Sequence, residues 1–303
     1  MNLAVTGANG FVGRHVVAHA AEAGWTVSGI VRSAAAARVV STAGGRPVEI
    51  PEPNVETLAR ALEGADVVVH LAQIGAERGG QTYEAVNVGL TRRLLEACRH
   101  AGVPRALFFS GLGVAHYGMK SRCTNPYFLS KLTAENRLMC SDRETVIFRP
   151  SFVVGPGDAF VPAVLAAIAG GEVERPGDGA YRMQPIAVAD AAALVLAAAS
   201  RPSGGFPSVF DLVGPEPVSY AQLLEHLARV ARIAGHDATL RVREIPIAEA
   251  DRRAASGGYQ GMLPDELDCL LCDEVADASP LVSLLDRPLT PLDAALGAAV
   301  RAV

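Results

Sequence analysis

Three glycines, Gly7, Gly10 and Gly13, open the chain within the run Thr6-Gly7-Ala8-Asn9-Gly10-Phe11-Val12-Gly13. A turn of this kind can seat a pyrophosphate. Gly7 permits a tight exit from a strand, Gly10 leaves the way clear to the backbone amides at a helix N-terminus, and Gly13 lets that helix lie close to the sheet. The positive end of the helix then meets the negative phosphates. With Asn9, Phe11 and Val12 between them, the glycines form the expected cofactor-binding turn. Glycines also mark ordinary loops, but here a β-branched run, Asn2–Thr6, precedes the turn and a helical stretch to Ala23 follows it. Cofactor choice is read at the end of the second strand. An acidic residue there would accept hydrogen bonds from an NAD ribose, whereas this chain has Arg32 and then Ser33, which suit a 2′-phosphate. The expected cofactor is NADP, with NAD as the alternative; an ordinary surface arginine at a strand end is the competing reading.

Other reactive side chains have plainer readings. Cys269 and Cys272 form a CxxC, which would suit zinc or redox chemistry. No second pair has ligand spacing, and Leu267 to Cys272 reads as the buried stripe of a helix, so core packing is expected. The five cysteines, Cys98, Cys123, Cys140, Cys269 and Cys272, are an odd and scattered set that suits a reducing compartment. No metal is expected. His70 at the end of a strand reads as a hydrogen-bonded structural residue. His116 and Tyr117 fit a plain loop as readily as a substrate approach, and Asp158 and Asp190 read as helix caps or starts.

The elements that must position these residues alternate. Strands are expected at Asn2–Thr6, Thr26–Val31, Asp66–Leu71, Ala106–Ser110 and Thr145–Arg149, with a third strand ending before Pro51-Glu52-Pro53. Helices are expected to Ala23, over Glu56–Leu62, over Glu84–Ala101, where Val88, Leu94, Leu95 and Cys98 recur at helical spacing, and over Tyr127–Met139. Strands separated by helices need right-handed crossovers. The fold class is therefore α/β, a doubly wound parallel (Rossmann) sheet with a smaller, mixed C-terminal lobe. Later expectations are helices over Val188–Ser200 and Ser219–Ala234, the latter capped by Ser219, and a strand over Val209–Val213. The expected division is a dinucleotide-binding domain over 1–150 and a substrate or partner lobe over 151–303, separate from the first or interleaved with it.

With 303 residues, half of them hydrophobic, a sizeable core is easily built. The formal charge is −5 and no run of Lys or Arg exceeds two residues, so nucleic acid and anionic membranes find no electrostatic footprint. The longest apolar stretch, Phe160 to Ala169, is too short to span a bilayer. The N-terminus does not read as a signal peptide, and a cytoplasmic location is expected.

Taken together, the residues resemble the extended and atypical short-chain dehydrogenase/reductase superfamily. The likeness runs through the glycine turn, Asp66-Val67-Val68-Val69-His70-Leu71-Ala72, Asn87, Phe108-Phe109-Ser110, Tyr127-Phe128-Leu129-Ser130-Lys131, Arg149-Pro150 and Gly155-Pro156-Gly157-Asp158. Within it the chain is most similar to an atypical branch related to the Rossmann-type accessory subunit of respiratory complex I. Residues 77–84, Ser110-Gly111-Leu112-Gly113 and the run from Leu263 to Leu296 carry that likeness. The resemblance implies that Tyr127 exchanges a proton with a substrate hydroxyl or carbonyl. It implies that Lys131, one helical turn on, holds the nicotinamide ribose and lowers the tyrosine pKa. It also implies a cofactor lined by Leu71, Ala72, Gln73, Asn87, Pro150 and Ser151. Two departures stand out. The family's Ser or Thr past the fifth strand is replaced by Gly111-Leu112-Gly113, with Ser110 one or two positions early; and the acidic position near adenine falls at Glu52 between prolines.

Two functions follow. One is an NAD(P)-dependent oxidoreductase or epimerase/dehydratase-like enzyme acting on a small carbonyl, hydroxyl or nucleotide-sugar substrate, with Tyr127, Lys131 and Ser110 as catalytic residues. The other is a non-catalytic, NADP-binding structural or redox-sensing protein with a protein partner. A homo-oligomer is open in either case.

Overall fold

The computed structural model describes residues 1–202, 204 and 208–303. In the first half, short apolar runs become strands and the amphipathic stretches between them become helices. In order these are β1 (Asn2–Thr6), α1 (Phe11–Glu22), β2 (Thr26–Val31), α2 (Ala34–Thr42), β3 (Arg46–Glu49), α3 (Val55–Ala61), β4 (Val67–His70), α4 (Gly89–Ala101), β5 (Arg105–Phe109), α5 (Pro126–Met139) and β6 (Glu144–Pro150). The second half adds β7 (Val153–Val154), α6 (Phe160–Ala169), β8 (Val173–Pro176), β9 (Arg182–Met183), β10 (Ile186–Ala187), α7 (Val188–Ser200), β11 (Ser208–Leu212) and β12 (Val218–Ser219). It closes with α8 (Tyr220–Ile233), β13 (Val242–Ile245), α9 (Ile247–Ala255), α10 (Pro264–Leu271), α11 (Ser279–Leu285) and α12 (Leu292–Val300).

The main sheet runs β11-β6-β5-β4-β1-β2-β3, and every neighbouring pair is parallel. The chain starts at β1 in the middle, winds outward to β3, then returns to the other side of β1 through β4. The switch point lies between β1 and β4, and a crevice at their carboxyl ends is where such sheets bind ligands. Side chains alternate across β1: Leu3 and Val5 join one core with Val16, Val17 and Ala20 of α1 and Val195 of α7, while Ala4 joins another with Leu94, Ala134 and Leu138. Burial on both faces explains the near-continuous apolar runs of the strands.

The C-terminal lobe has its own core, built on Val161, Leu223, Leu227, Leu267 and Leu296. Paired strands β8 with β13 and β9 with β12 belong to it. Two elements from beyond residue 150 join the first half: α7 packs on α1 and β11 pairs with β6. Among the described residues no helix is long and apolar enough to cross a membrane.

Two elements depart from the pattern reading. Helix α2, with the Ser33 hydroxyl capping Ala36 N at 3.3 Å, follows β2 directly; its signal in the sequence is the cap and the alanine run. The helix expected from Glu84 begins with a π-helical turn, Glu84–Val88. That wider turn holds Asn87 where its amide exchanges hydrogen bonds with both sides of the Ile74 peptide, at 2.9 and 3.1 Å.

Candidate functional site

The glycine turn lies at the switch point. Gly7 has φ +66°, and a Cβ there would lie 2.7 Å from the amide nitrogen of Ala72 at the end of β4. A Cβ at Gly13 would meet the Gly7 carbonyl oxygen at 2.2 Å. Both positions therefore need glycine for close backbone approach, Gly13 against the turn itself. Gly10 closes the turn through its amide to Gly7 O at 2.9 Å and forms the N-cap of α1 without a side-chain cap. The first-turn amides of Phe11, Val12 and Gly13 are left for an anion, with Asn9 just ahead of them. Arg14 and His15, one turn on, grip the Pro156 and Gly157 carbonyls at 2.8–3.2 Å and fold that loop against α1.

Arg32 stands just past the end of β2, exposed, and its side chain makes no ion pair or hydrogen bond among the described residues. Ser33 beside it caps α2.

A buried polar chain ties β1 to β4. The Thr91 hydroxyl donates to Asn87 O at 2.6 Å, so His70 Nε2–H donates to Thr91 Oγ1 at 3.0 Å, and His70 Nδ1 accepts from Thr6 Oγ1 at 2.7 Å. Ala72 N donates in turn to Thr6 Oγ1 at 3.4 Å, and Leu71 N bonds Thr6 O at 3.2 Å. Burial, with Lys131 nearby, pulls His70 down to about 3, so it is neutral and structural. Asn87 also donates to Ser130 Oγ at 3.0 Å, linking the Leu71–Ile74 segment to α5.

Helix α5 starts with Asn125 capping Phe128 N at 2.9 Å and Pro126 in the first turn. It presents Tyr127 half-buried and Lys131 fully buried. The Lys131 ammonium bonds Gln73 Oε1 and the Phe109 carbonyl oxygen, and sits 4.3 Å from the centre of the Phe108 ring. It thereby joins the ends of β4 and β5. Burial lowers its pKa to about 7, with Glu135 pulling the other way. The tyrosine differs from what the resemblance implies. Burial, with Cys269 and Glu274 adding to it, pushes the Tyr127 phenol up rather than down. Lys131 aims its charge at Phe109, Gln73 and Phe108 instead of at the phenol.

Past β5, Ser110 is 1% exposed and, among the described residues, its hydroxyl has no partner. Leu112 is buried, and a Cβ at Gly113 would lie 2.3 Å from the Phe128 ring. A side chain at Gly113 would require the Phe128 ring to shift. The Gly113 amide donates to the Glu274 carboxylate at 3.1 Å. Glu274 lies on a strap, residues 272–278, held by Arg182 O, the Ser151 hydroxyl and the Gln184 side chain. Burial lifts its carboxyl to about 8, the Gly113 amide and Lys120 opposing. Pro150 ends β6, and the Ser151 hydroxyl faces the strap. Two surface hollows elsewhere are lined by none of the candidate site residues.

The model of the NAD-dependent epimerase/dehydratase family matches residues 3–212, well over half of the chain. The chain belongs to that family. A relative from Stigmatella aurantiaca, 4-hydroxy-2-methyl-3-oxo-4-farnesyl-3,4-dihydroquinoline-1-oxide ketoreductase, is 29% identical over 85% of this chain and 80% of its own. The Arabidopsis thaliana mitochondrial NADH dehydrogenase [ubiquinone] 1 alpha subcomplex subunit 9 is 26% identical over 73% of this chain and 56% of its own. UDP-glucuronic acid 4-epimerase from Bacillus cereus, solved with NAD, shares the fold with a TM-score of 0.75 at 23% identity, covering 100% of this chain and 98% of its own.

For a member of this family, the geometry fits a nicotinamide dinucleotide. The uncapped α1 amides and the cradle that a Cβ on Gly7 or Gly13 would fill are the donor set that a pyrophosphate needs. Sequence reasoning missed Glu274, which reaches Gly113 from a segment 161 residues away. It also missed the buried Glu135 carboxylate, which pairs with Arg149 at 2.6 and 3.0 Å. Neither has a local motif. Asp158, one residue before the N-cap of α6, accepts from Val161 N at 2.7 Å, and Asp190, in the first turn of α7, accepts from Arg287 and Thr290 N at 2.8 and 2.6 Å and ties the C-terminal segment to that helix.

Proposed function

We propose that this chain is an NADP-dependent reductase that converts a ketone of a small or lipid-like substrate to an alcohol. The observation that carries the reading is the Tyr127–Lys131 pair on one face of α5, next to the carboxyl ends of β4 and β5. When bound, the reduced dinucleotide supplies hydride. Arg32 would meet the 2′-phosphate, the amides of Phe11, Val12 and Gly13 the pyrophosphate, and Lys131 the ribose. Leu71, Ala72, Gln73, Pro150 and Ser151 would form the walls, with Asn87 holding the Gln73–Ile74 segment in place.

Tyr127 holds a proton tightly, because burial raises its pKa. A phenol in that state stays protonated at neutral pH, and the alkoxide formed as hydride reaches the carbonyl carbon is a stronger base than phenolate and takes the proton from it. The ketoreductase named among the relatives supports the reductive direction. The test is NADPH oxidation by the purified protein against a panel of ketones, including β-keto acids and quinolones. Tyr127→Phe should lower kcat at least about 100-fold, with NADPH affinity held within about twofold. No turnover on any substrate would overturn the reading.

A second reading has its own support. The position of the missing hydroxyl is filled by the Phe128 ring packed on Gly113, and one relative is named as an NADH dehydrogenase [ubiquinone] subunit. In that reading the dinucleotide stabilises a protein that acts through a protein partner. Tight NADPH binding without turnover would favour it.

A further inference from the structure

The CxxC parts company in the folded chain. Cys269 lies in α10, while Cys272 follows the helix in extended conformation, φ −74° and ψ 137°. Its neighbour is Cys123, 149 residues earlier, with the two Sγ atoms 2.6 Å apart. That is closer than carbon atoms, which are smaller than sulfur, settle in van der Waals contact, about 3.5–4.0 Å. Both cysteines are buried, and with Val114 and Phe128 they form a small apolar cluster against Tyr127.

The sulfurs do not hold the segments together alone. On either side of Cys123, Lys120 donates to Asp273 O at 2.9 Å, Arg122 to Asp268 Oδ1 at 2.8 Å and Asn125 to Asp268 Oδ2 at 3.4 Å. The two backbones are pinned in register around the thiols by contacts that owe nothing to sulfur.

We propose that Cys123 and Cys272 are a redox pair that closes a reversible disulfide between the loop before α5 and the 272–278 strap. The oxidant is a low-molecular-weight disulfide of the glutathione class. One cysteine thiolate attacks a sulfur of that disulfide and expels one small thiolate. The second cysteine thiolate attacks the mixed disulfide and expels the other. Two protein thiols are oxidised, the external disulfide is reduced to two thiols, and the two thiol protons end on the released molecules. Cys123 stands four residues before Tyr127 and Cys272 two before Glu274. The closed pair would therefore fix the tyrosine's helix start against the strap that bonds Gly113. The proposal is independent of the reductase reading.

Burial raises the pKa of both thiols, so closure in the native protein should be slow at neutral pH and faster in alkali. Access is bypassed by refolding the full chain in a reduced/oxidised glutathione buffer, alkylating it under denaturing conditions and mapping cysteines by mass spectrometry. The expected result is a linked peptide pair containing Cys123 and Cys272, lost on dithiothreitol treatment. In Cys272→Ser, Cys123 should be recovered alkylated. Recovery of both Cys123 and Cys272 as alkylated thiols after oxidative refolding overturns the proposal. So does a link from Cys272 to Cys269.

Discussion

Replacing Lys131 with Met should remove a pH dependence from the stability of the dinucleotide-free protein. Lys131 is 0% exposed, and burial pulls its ammonium from 10.5 to about 7. Between those values the unfolded chain carries a proton that the folded chain releases. Wild-type stability therefore climbs with pH through this window, its penalty complete below the folded value and gone above the unfolded one. At about 1.4 kcal/mol per unit, the whole window corresponds to roughly 5 kcal/mol. Methionine keeps most of the volume and removes the charge, along with the bonds to Phe109 O and Gln73. The assay is urea unfolding of both proteins from about pH 7.5 to about pH 9.5, where the stability advantage of Lys131→Met should shrink by about 2 kcal/mol. Groups that titrate alike in both proteins cancel in this difference. A difference that stays constant across the range refutes the claim that burial governs Lys131.

Glu274 should show the opposite trend. Its folded pKa is raised from 4.5 to about 8, so wild-type stability falls as pH rises through that window, and Glu274→Gln should gain on wild type between about pH 5 and about pH 8 in thermal or urea unfolding; a flat difference would count against it. Arg32→Asp should weaken NADPH binding roughly tenfold or more relative to NADH, measured by fluorescence titration, since one charge-assisted contact is lost and a repulsive one added. Unchanged relative affinities would remove Arg32 from the 2′-phosphate site. Gly13→Ala places a Cβ 2.2 Å from the Gly7 carbonyl oxygen. It should cost about 1–3 kcal/mol in unfolding and weaken the binding of both dinucleotides; wild-type values for both would contradict the close-approach argument.

Local order was legible in the sequence. The glycine turn announced its strand and helix because backbone approach at Gly7 and Gly13 tolerates no side chain, and that requirement is written in residue type. The doubly wound sheet followed from the alternation of apolar runs with helical periods, since strands buried on both faces must be apolar throughout. Ser219 read as a cap and is one, its hydroxyl accepting from Gln222 N at 3.1 Å. Tyr127 and Lys131 share a face because four residues make about one helical turn.

What only the tertiary structure decided lies in contacts between distant segments, for which sequence has no local signal. The π-helical turn at Glu84–Val88 appears where Asn87 bonds the Ile74 peptide from another element. The space beside Gly113 is taken by the Phe128 ring, its amide is bonded by Glu274 from the far end of the chain, and the CxxC separates because Cys272 leaves the helix to meet Cys123. The protonation of Tyr127, Lys131 and Glu274 belongs to the same class. A side chain's type sets its ordinary pKa, but the direction in which the protein moves it depends on how much water the folded chain removes.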